Sequence, residues 1–491
     1  MYESISPASV AEASQGMAPQ RSRRSSMDQA RPSHTAVYLV MVLLLLVNLT
    51  TGITNIPLNR LLERRLCRQF YSSDNEIDED LCKIDQVQKT LAWIMGGFDT
   101  LWTVGDSVTT IPLTFVSERF GRKFALWLNI VPRFFMLCWI LSVSYFENSL
   151  PPRAAIAGAA LSVLGGDTVF NSLVYSLASS LADDDVVRAV YFSRMQALTS
   201  VLGFLSPAIA SATMTVRLTL PFWLGLLLLM LASVTISCLP ATDTRMDDLN
   251  DAGRPLISSP TLKAQVTRES LITSISNRLH ELISCVGTVQ LALLLLSMFL
   301  TSLASSDTKL LAQYISKRYH WTFAAAGYLL SAKAGVNFIV LSIIIPFLLS
   351  KRGRTSQNMS DKAHLRYARF CVIASAFGAF AIGVSASVWV LFPSLLIYAI
   401  GVPLSIFTLS LANSPNLWLR DQSLEAGTAN PRTHIFSIVM MTKTLGSLIG
   451  QPFMAALWYY GIDVRAYGSP YLASSVVYLL ALSVMSRIQL I

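Results

Sequence analysis

Eight side chains with ionisable or strongly polar chemistry stand inside stretches otherwise too apolar to hold them: Asp99, Asp106, Arg133, Asp167, Arg194, Lys333, Asn337 and Lys443. A charge placed in hydrocarbon costs at least about 2.5 kcal/mol, so each must face a partner or a watery cavity. Asp99 and Asp106 are seven residues apart and share one helical face, and Lys333 and Asn337, four apart, share another. Asp106, within Gly105-Asp106-Ser107 in mid-run, is the first choice for a carboxylate that exchanges a proton or touches a ligand. Asp99 lies nearer a run's end, where water can solvate it. Both signs occur in both halves of the chain. Asp106 can pair with Lys333 or Lys443, and Asp167 with Arg133 or Arg194; the spacing leaves these alternatives open. Two chemistries fit such a set. One is static ion pairing between helices. The other is a central cavity in which protonation alternates with ligand binding, which needs a carboxylate balanced near the working pH.

Twelve apolar runs must position these groups: 36–58, 93–115, 124–145, 154–181, 190–214, a sixth reaching 239, 282–302, 322–349, 370–391, 394–417, 434–460 and 471–485. A bilayer is crossed by roughly 20 apolar residues, whereas buried strands stop after roughly 4 to 8. The chain is 53% hydrophobic and only 14% charged, against about a quarter charged in soluble domains. The fold class is therefore an all-α polytopic membrane protein, with twelve transmembrane helices in two six-helix bundles. A barrel would show short alternating segments instead.

The stretch Glu118-Arg119-Phe120-Gly121-Arg122-Lys123 separates runs two and three and reads as a tight turn at the cytosolic surface, where short loops collect basic residues. Counting from it puts the amino terminus, the break between runs six and seven, the basic loop after run eight and the carboxyl terminus on the cytosolic side. The expected organisation is a disordered cytosolic tail over 1–35, a first bundle over 36–239, a cytosolic linker over 240–281 and a second bundle over 282–491. Run eight is followed by Lys351, Arg352, Arg354, Lys362, Arg366 and Arg369, and run nine is expected to end at Pro393. The formal charge of +9 is spread over tail and loops, where it sets topology, and calls for no nucleic acid. No CxxC or metal spacing occurs among the six cysteines. Cys67 and Cys82 flank the polar loop 59–89, which faces outward, so a disulfide between them is chemically allowed.

The motifs resemble those of a known family. Thr114, Glu118, Gly121, Arg122 and Lys123 match the signature loop between helices two and three of the major facilitator superfamily, with threonine for glycine and glutamate for aspartate. The outer loop, Pro57-Leu-Asn-Arg-Leu-Leu-Glu63 with Cys67 and Leu81-Cys82-Lys83-Ile-Asp85, looks like that of fungal members of general-substrate or drug-efflux type. The resemblance spans about 36–491. It implies that Glu118, Gly121, Arg122 and Lys123 act as a latch on the cytosolic side rather than as substrate contacts. It also implies a secondary transporter working by alternating access. Departures are that no arginine lies in the body of helix four, and that Ser200 to Pro207 follows the antiporter pattern of helix five only roughly.

With no phosphate-binding GxxxxGK[ST] loop, the driving energy must come from a gradient or from the solute. The expected function is proton-coupled export of a small organic compound, with import or facilitated diffusion of a metabolite as the alternative and a non-transporting membrane sensor behind both. His residues are scattered singly and no nucleophile motif occurs, so no enzyme activity and no cofactor are expected. The expected partners are the organic substrate, protons and the lipid bilayer. The protein is expected to be a monomer in the plasma membrane, with the vacuole or another endomembrane as the alternative.

Overall fold

A computed structural model describes residues 34–72, 77–147, 149–161, 163–181, 185–239, 289–344, 357–412 and 431–488. The expected tail, up to residue 33, and the linker over 240–281 lie outside the described residues. Those described form helices and short turns, with no strand among them. Fifteen α-helices follow in order. The first seven are α1 (His34–Tyr71), α2 (Asp85–Phe120), α3 (Arg122–Tyr145), α4 (Ala155–Leu161), α5 (Asp167–Ser180), α6 (Asp185–Val216) and α7 (Leu220–Cys238). The rest are α8 (Val289–Ser305), α9 (Leu311–Tyr319), α10 (Phe323–Ile339), α11 (Gln357–Val384), α12 (Val388–Ile400), α13 (Leu404–Ala412), α14 (Pro431–Asp463) and α15 (Ser469–Ser486). Among the described residues, nine helical stretches are long and apolar enough to cross a membrane.

Two hydrophobic cores organise the helices. One is drawn from α1 to α7, joined by Ala312 and Phe323 from the second half; the other is drawn from α8 to α15, joined by Ala92. Trp458, Tyr314, Tyr471, Phe170 and Phe222 are their largest fully buried side chains.

Several boundaries differ from the sequence expectation. The loop expected over 59–89 is mostly helix: α1 continues to Tyr71 and α2 begins at Asp85. The extension survives its polarity because Leu58, Leu61, Leu62 and Leu66 are buried, and because Arg60 pairs with Glu63 at 2.9 Å. Run four is broken, with a 3-10 turn over Val163–Gly165 between α4 and α5. Run seven, expected to end at 302, continues past it: α8 is followed by a 3-10 turn, Ser306–Leu310, and by α9. Run nine does not end at Pro393, which lies inside α12. The helix stops instead at Val384, and the hydroxyls of Tyr314 and Tyr319 donate to the freed carbonyls of Ile382 (2.7 Å) and Ser385 (3.2 Å). A proline is tolerated in such a helix when neighbours satisfy the freed backbone groups.

The turn between α2 and α3 is a single residue. Gly121 has φ +90° and ψ 152°, a region essentially reserved for glycine. Gly121→Ala is therefore expected to cost about 1–3 kcal/mol. The check is the thermal midpoint of the purified protein against Gly203→Ala, where an added Cβ meets nothing within 4 Å and little change is expected.

Candidate functional site

Asp106, Arg133 and Asp167 gather around the break between α4 and α5. A helix interrupted in hydrocarbon leaves backbone groups that need partners. Asn129 on α3 donates its side-chain amide to Leu164 O (3.3 Å) and Gly166 O (3.0 Å). Asp106 on α2 accepts from the backbone N–H of Thr168 (3.1 Å) and from the Thr168 hydroxyl (2.7 Å), so it caps the amino end of α5 from a neighbouring helix. The glycine pair makes room for this approach: a Cβ on Gly166 would overlap the Asp106 carboxylate, and one on Gly165 would lie 2.9 Å from Arg133 Cγ.

Arg133 fills the remaining space. It donates to Asp167 Oδ1 at 2.8 Å, to Asn129 Oδ1 at 3.2 Å and to Thr51 Oγ1 at 3.2 Å. Its guanidinium also lies over the rings of Trp102 and Phe170, 5.6 and 5.7 Å from their centroids. Asp167 thus meets Arg133 and not Arg194, which stands exposed on α6 with no ion pair among the described residues. Lys333 and Lys443 form no ion pair among the described residues either, so the cross-half pairs of Asp106 with these lysines are not made. Lys333 places its ammonium over the Tyr398 ring, 5.0 Å from the centroid. Asn337, one turn further along α10, keeps its Oδ1 buried without a hydrogen-bond partner among the described residues. Lys443 contributes its backbone carbonyl, which accepts from Ser302 at 2.6 Å and ties α14 to α8.

The signature turn is anchored within the first half. Arg122 donates to the Ser180 hydroxyl (2.6 Å) at the end of α5, and Lys123 donates to Ser237 O (2.8 Å) and Leu239 O (3.1 Å) at the end of α7. Cations at helix carboxyl ends are favourable against the dipole. Glu118 lies in the last turn of α2.

At the opposite end a polar cluster that sequence reasoning missed joins the two halves. Cys67 and Cys82 are disulfide-bonded, fastening the turn Asp80–Cys82 to the outer extension of α1. Beside them Lys83, 3% exposed, donates to Glu63, fully buried, at 2.7 Å and to Glu79 at 3.2 Å. Lys83 also reaches the Ser316 hydroxyl on α9 at 2.5 Å. Lys317 on α9 pairs with Asp85 at 2.6 Å and donates to the Lys83 carbonyl. Gln313 donates to Asn59 at 2.8 Å, the backbone N–H of Phe323 donates to Glu79 at 2.8 Å, and His320 meets Asp80 at 2.8 Å. On another face of this end, Lys89 pairs with Asp463, and deeper in, Thr103 donates to Gln451 at 2.8 Å. Arg60, Glu63, Glu79 and Lys83 sit in one polar stretch and Lys317 in another, each of which reads as a solvated loop; a signal available in the sequence was the i,i+3 spacing of Arg60 and Glu63 at the end of an apolar run.

Two outcomes follow. Lys83→Met leaves Glu63 a buried, under-paired charge and is expected to lower stability by about 3–5 kcal/mol, with Lys83→Met/Glu63→Gln recovering much of the loss; a double-mutant cycle of thermal midpoints measures it. Reducing the disulfide, whose cysteines are 15 residues apart, is expected to cost about 3 kcal/mol, read as a lower midpoint in reductant that Cys67→Ser/Cys82→Ser reproduces without it.

Comparisons with known proteins agree with this architecture. A family model described as Major Facilitator Superfamily matches residues 87–423. The chain is 28% identical to the MFS-type transporter aprT of Aspergillus flavus, over 76% of this chain and 74% of that protein. It is 25% identical to the efflux pump ustT of the same species, over 90% of this chain and 87% of the relative. Among solved structures, the nucleoside transporter NupG superposes with a TM-score of 0.62 at 11% identity, covering 92% of this chain and 99% of its own. The peptide transporter POT does so with a TM-score of 0.61 at 14% identity, covering 92% and 95%.

Proposed function

We propose, from the premise that this chain belongs to the major facilitator superfamily, that it exports a small organic compound by alternating access and draws on the proton gradient. The chain is a multi-pass secondary transporter of small organic solutes, not an enzyme. The observation that carries the mechanism is the polar seam between Asn59, Lys83 and Asp85 on one side and Gln313, Ser316 and Lys317 on the other. Apolar packing of that depth would weld the halves together. Such bonds are exchanged for water at a net cost of about 0.5–1.5 kcal/mol each when both partners are neutral and about 1.5–3 kcal/mol when one is charged, so a seam built from them can open.

On this reading the broken run of α4 and α5, the divided run of α8 and α9 and the pair α12 and α13 each make one crossing. That gives twelve crossings in two six-helix bundles, 36–239 and 282–491, joined by a cytosolic linker over 240–281. The outer end, fastened by the seam, is closed. A solute then enters from the cytosolic side, between Arg133 and Asp167 on one wall and Lys333, Asn337 and Lys443 on the other. The turn containing Glu118, Gly121, Arg122 and Lys123 holds α3, α5 and α7 together at the cytosolic end while the halves rock. Discontinuous helices at the midplane are the usual place for such a site, and here Asp106, Asp167 and Arg133 converge on one. Kinship in sequence to a fungal efflux pump favours outward movement. The plasma membrane is the proposed location and a monomer the proposed working unit.

The test is metabolite partition between cells and medium, in host cells with and without the protein, across imposed pH gradients. A compound retained in cells lacking the protein, and released by cells carrying it only while the gradient stands, is the expected result. Release that persists after the gradient is collapsed would remove proton coupling, and net uptake would reverse the direction.

A further inference from the structure

The second half holds a carboxylate that the site described above does not use. Asp307 lies in the 3-10 turn Ser306–Leu310 between α8 and α9, inside a stretch long and apolar enough to span a bilayer. It is fully buried. Its Oδ1 accepts the Tyr398 hydroxyl at 2.8 Å, while its Oδ2 is buried with no hydrogen-bond partner among the described residues. The Ser474 hydroxyl on α15 lies beside this carboxyl and also donates to the Ala304 carbonyl at 3.0 Å. Tyr471 approaches the Asp307 backbone carbonyl at 3.5 Å, and Tyr478 hydrogen-bonds Tyr398 at 3.2 Å.

One ring links this carboxylate to the cavity cation. Tyr398 donates its hydroxyl to Asp307 and offers its face to the Lys333 ammonium at 5.0 Å. Lys333 is partly exposed while Asp307 is not. The ionisable groups around Asp307 are thus Tyr398 on α12, Lys333 on α10, Tyr471 and Tyr478 on α15, Tyr314 on α9 beyond Tyr471, and Lys309 on its own turn.

We propose that Asp307 is a proton-binding site of the second half, and that Tyr398 couples its charge to Lys333, the group that meets an anionic or strongly hydrogen-bond-accepting part of the solute. A proton can be added at Oδ2 without breaking the Tyr398 bond to Oδ1. The added proton removes the negative charge that balances Lys333, and leaves its ammonium free to bind an anion. When the solute leaves, Lys333 again faces an ionised Asp307 across the tyrosine ring. The inference rests on the reading of the chain as a proton-coupled transporter, but the site itself can be observed without transport.

The experiment is infrared difference spectroscopy of the purified full-length protein in lipid, stepped between acidic and alkaline buffer, which reports protonated carboxyl groups directly. A carboxylic C=O band that appears on acidification is expected in the wild type and in Asp106→Asn, and is expected to be lost in Asp307→Asn. If Asp307→Asn yields no folded protein, Asp307→Glu serves instead, and the band must then move in frequency. A band unchanged by both Asp307 substitutions, or none in the wild type, overturns the site even if efflux depends on the proton gradient. A band lost only in Asp307→Asn supports it even where efflux proves gradient-independent, so the two readings fail separately.

Discussion

The amino end of α5 is the point on which the first half depends. A helix broken where apolar packing excludes water leaves N–H and C=O groups unmet, and protein groups must meet them. Here Asn129 meets the carbonyls, Asp106 meets the N–H of Thr168, and Arg133 balances the Asp167 that opens the new helix. Three helices are thereby fastened to one irregular joint by hydrogen bonds rather than by apolar contact alone. The glycine pair at 165 and 166 is what lets them come near enough.

This joint also explains why so many charges are tolerated. Arg133 is almost fully buried, yet it is surrounded by a carboxylate, an amide oxygen, a hydroxyl and two aromatic faces. In such company a cation is paired and oriented, and its removal would strand Asp167. The second half handles its charge differently. Asp307 and Lys333 are separated by Tyr398 instead of touching. The first arrangement holds a fixed shape; the second leaves both charges available for exchange.

At the end opposite the Gly121 turn the two halves meet through polar groups braced by a disulfide. Cys67 and Cys82 fix the turn that places Lys83, and Lys83 in turn satisfies Glu63 within its own half and Ser316 in the other. The ion pair inside the first half is fully buried, whereas the Asp85 carboxylate that Lys317 meets across the seam is half exposed, where water can replace its partner. The cluster therefore keeps its shape on one side while its grip on the other can be released.

Helix type, membrane character and family were legible in the sequence, because a bilayer demands long apolar runs and the signature turn needs glycine between basic residues. The existence of intramembrane charges was legible too, since Asp106, Arg133, Asp167 and Lys333 stand out against leucine and valine. Their partners were not. Asp167 lies 34 residues from Arg133, and only the folding of α5 back against α3 chose it over Arg194. By sequence Asp106 could pair with Lys333 or Lys443; in the fold it caps the amino end of α5 instead. The outer seam was hidden because Lys83, Lys317 and Glu79 look like any solvated loop; packing around Glu63 turned them into a buried network. Asp307 escaped notice because it opens a polar stretch that reads as the end of a run. The sequence alone determined which segments must leave water, since that depends on local composition. Tertiary structure alone decided which charges face one another, since that depends on how far-separated helices are set side by side.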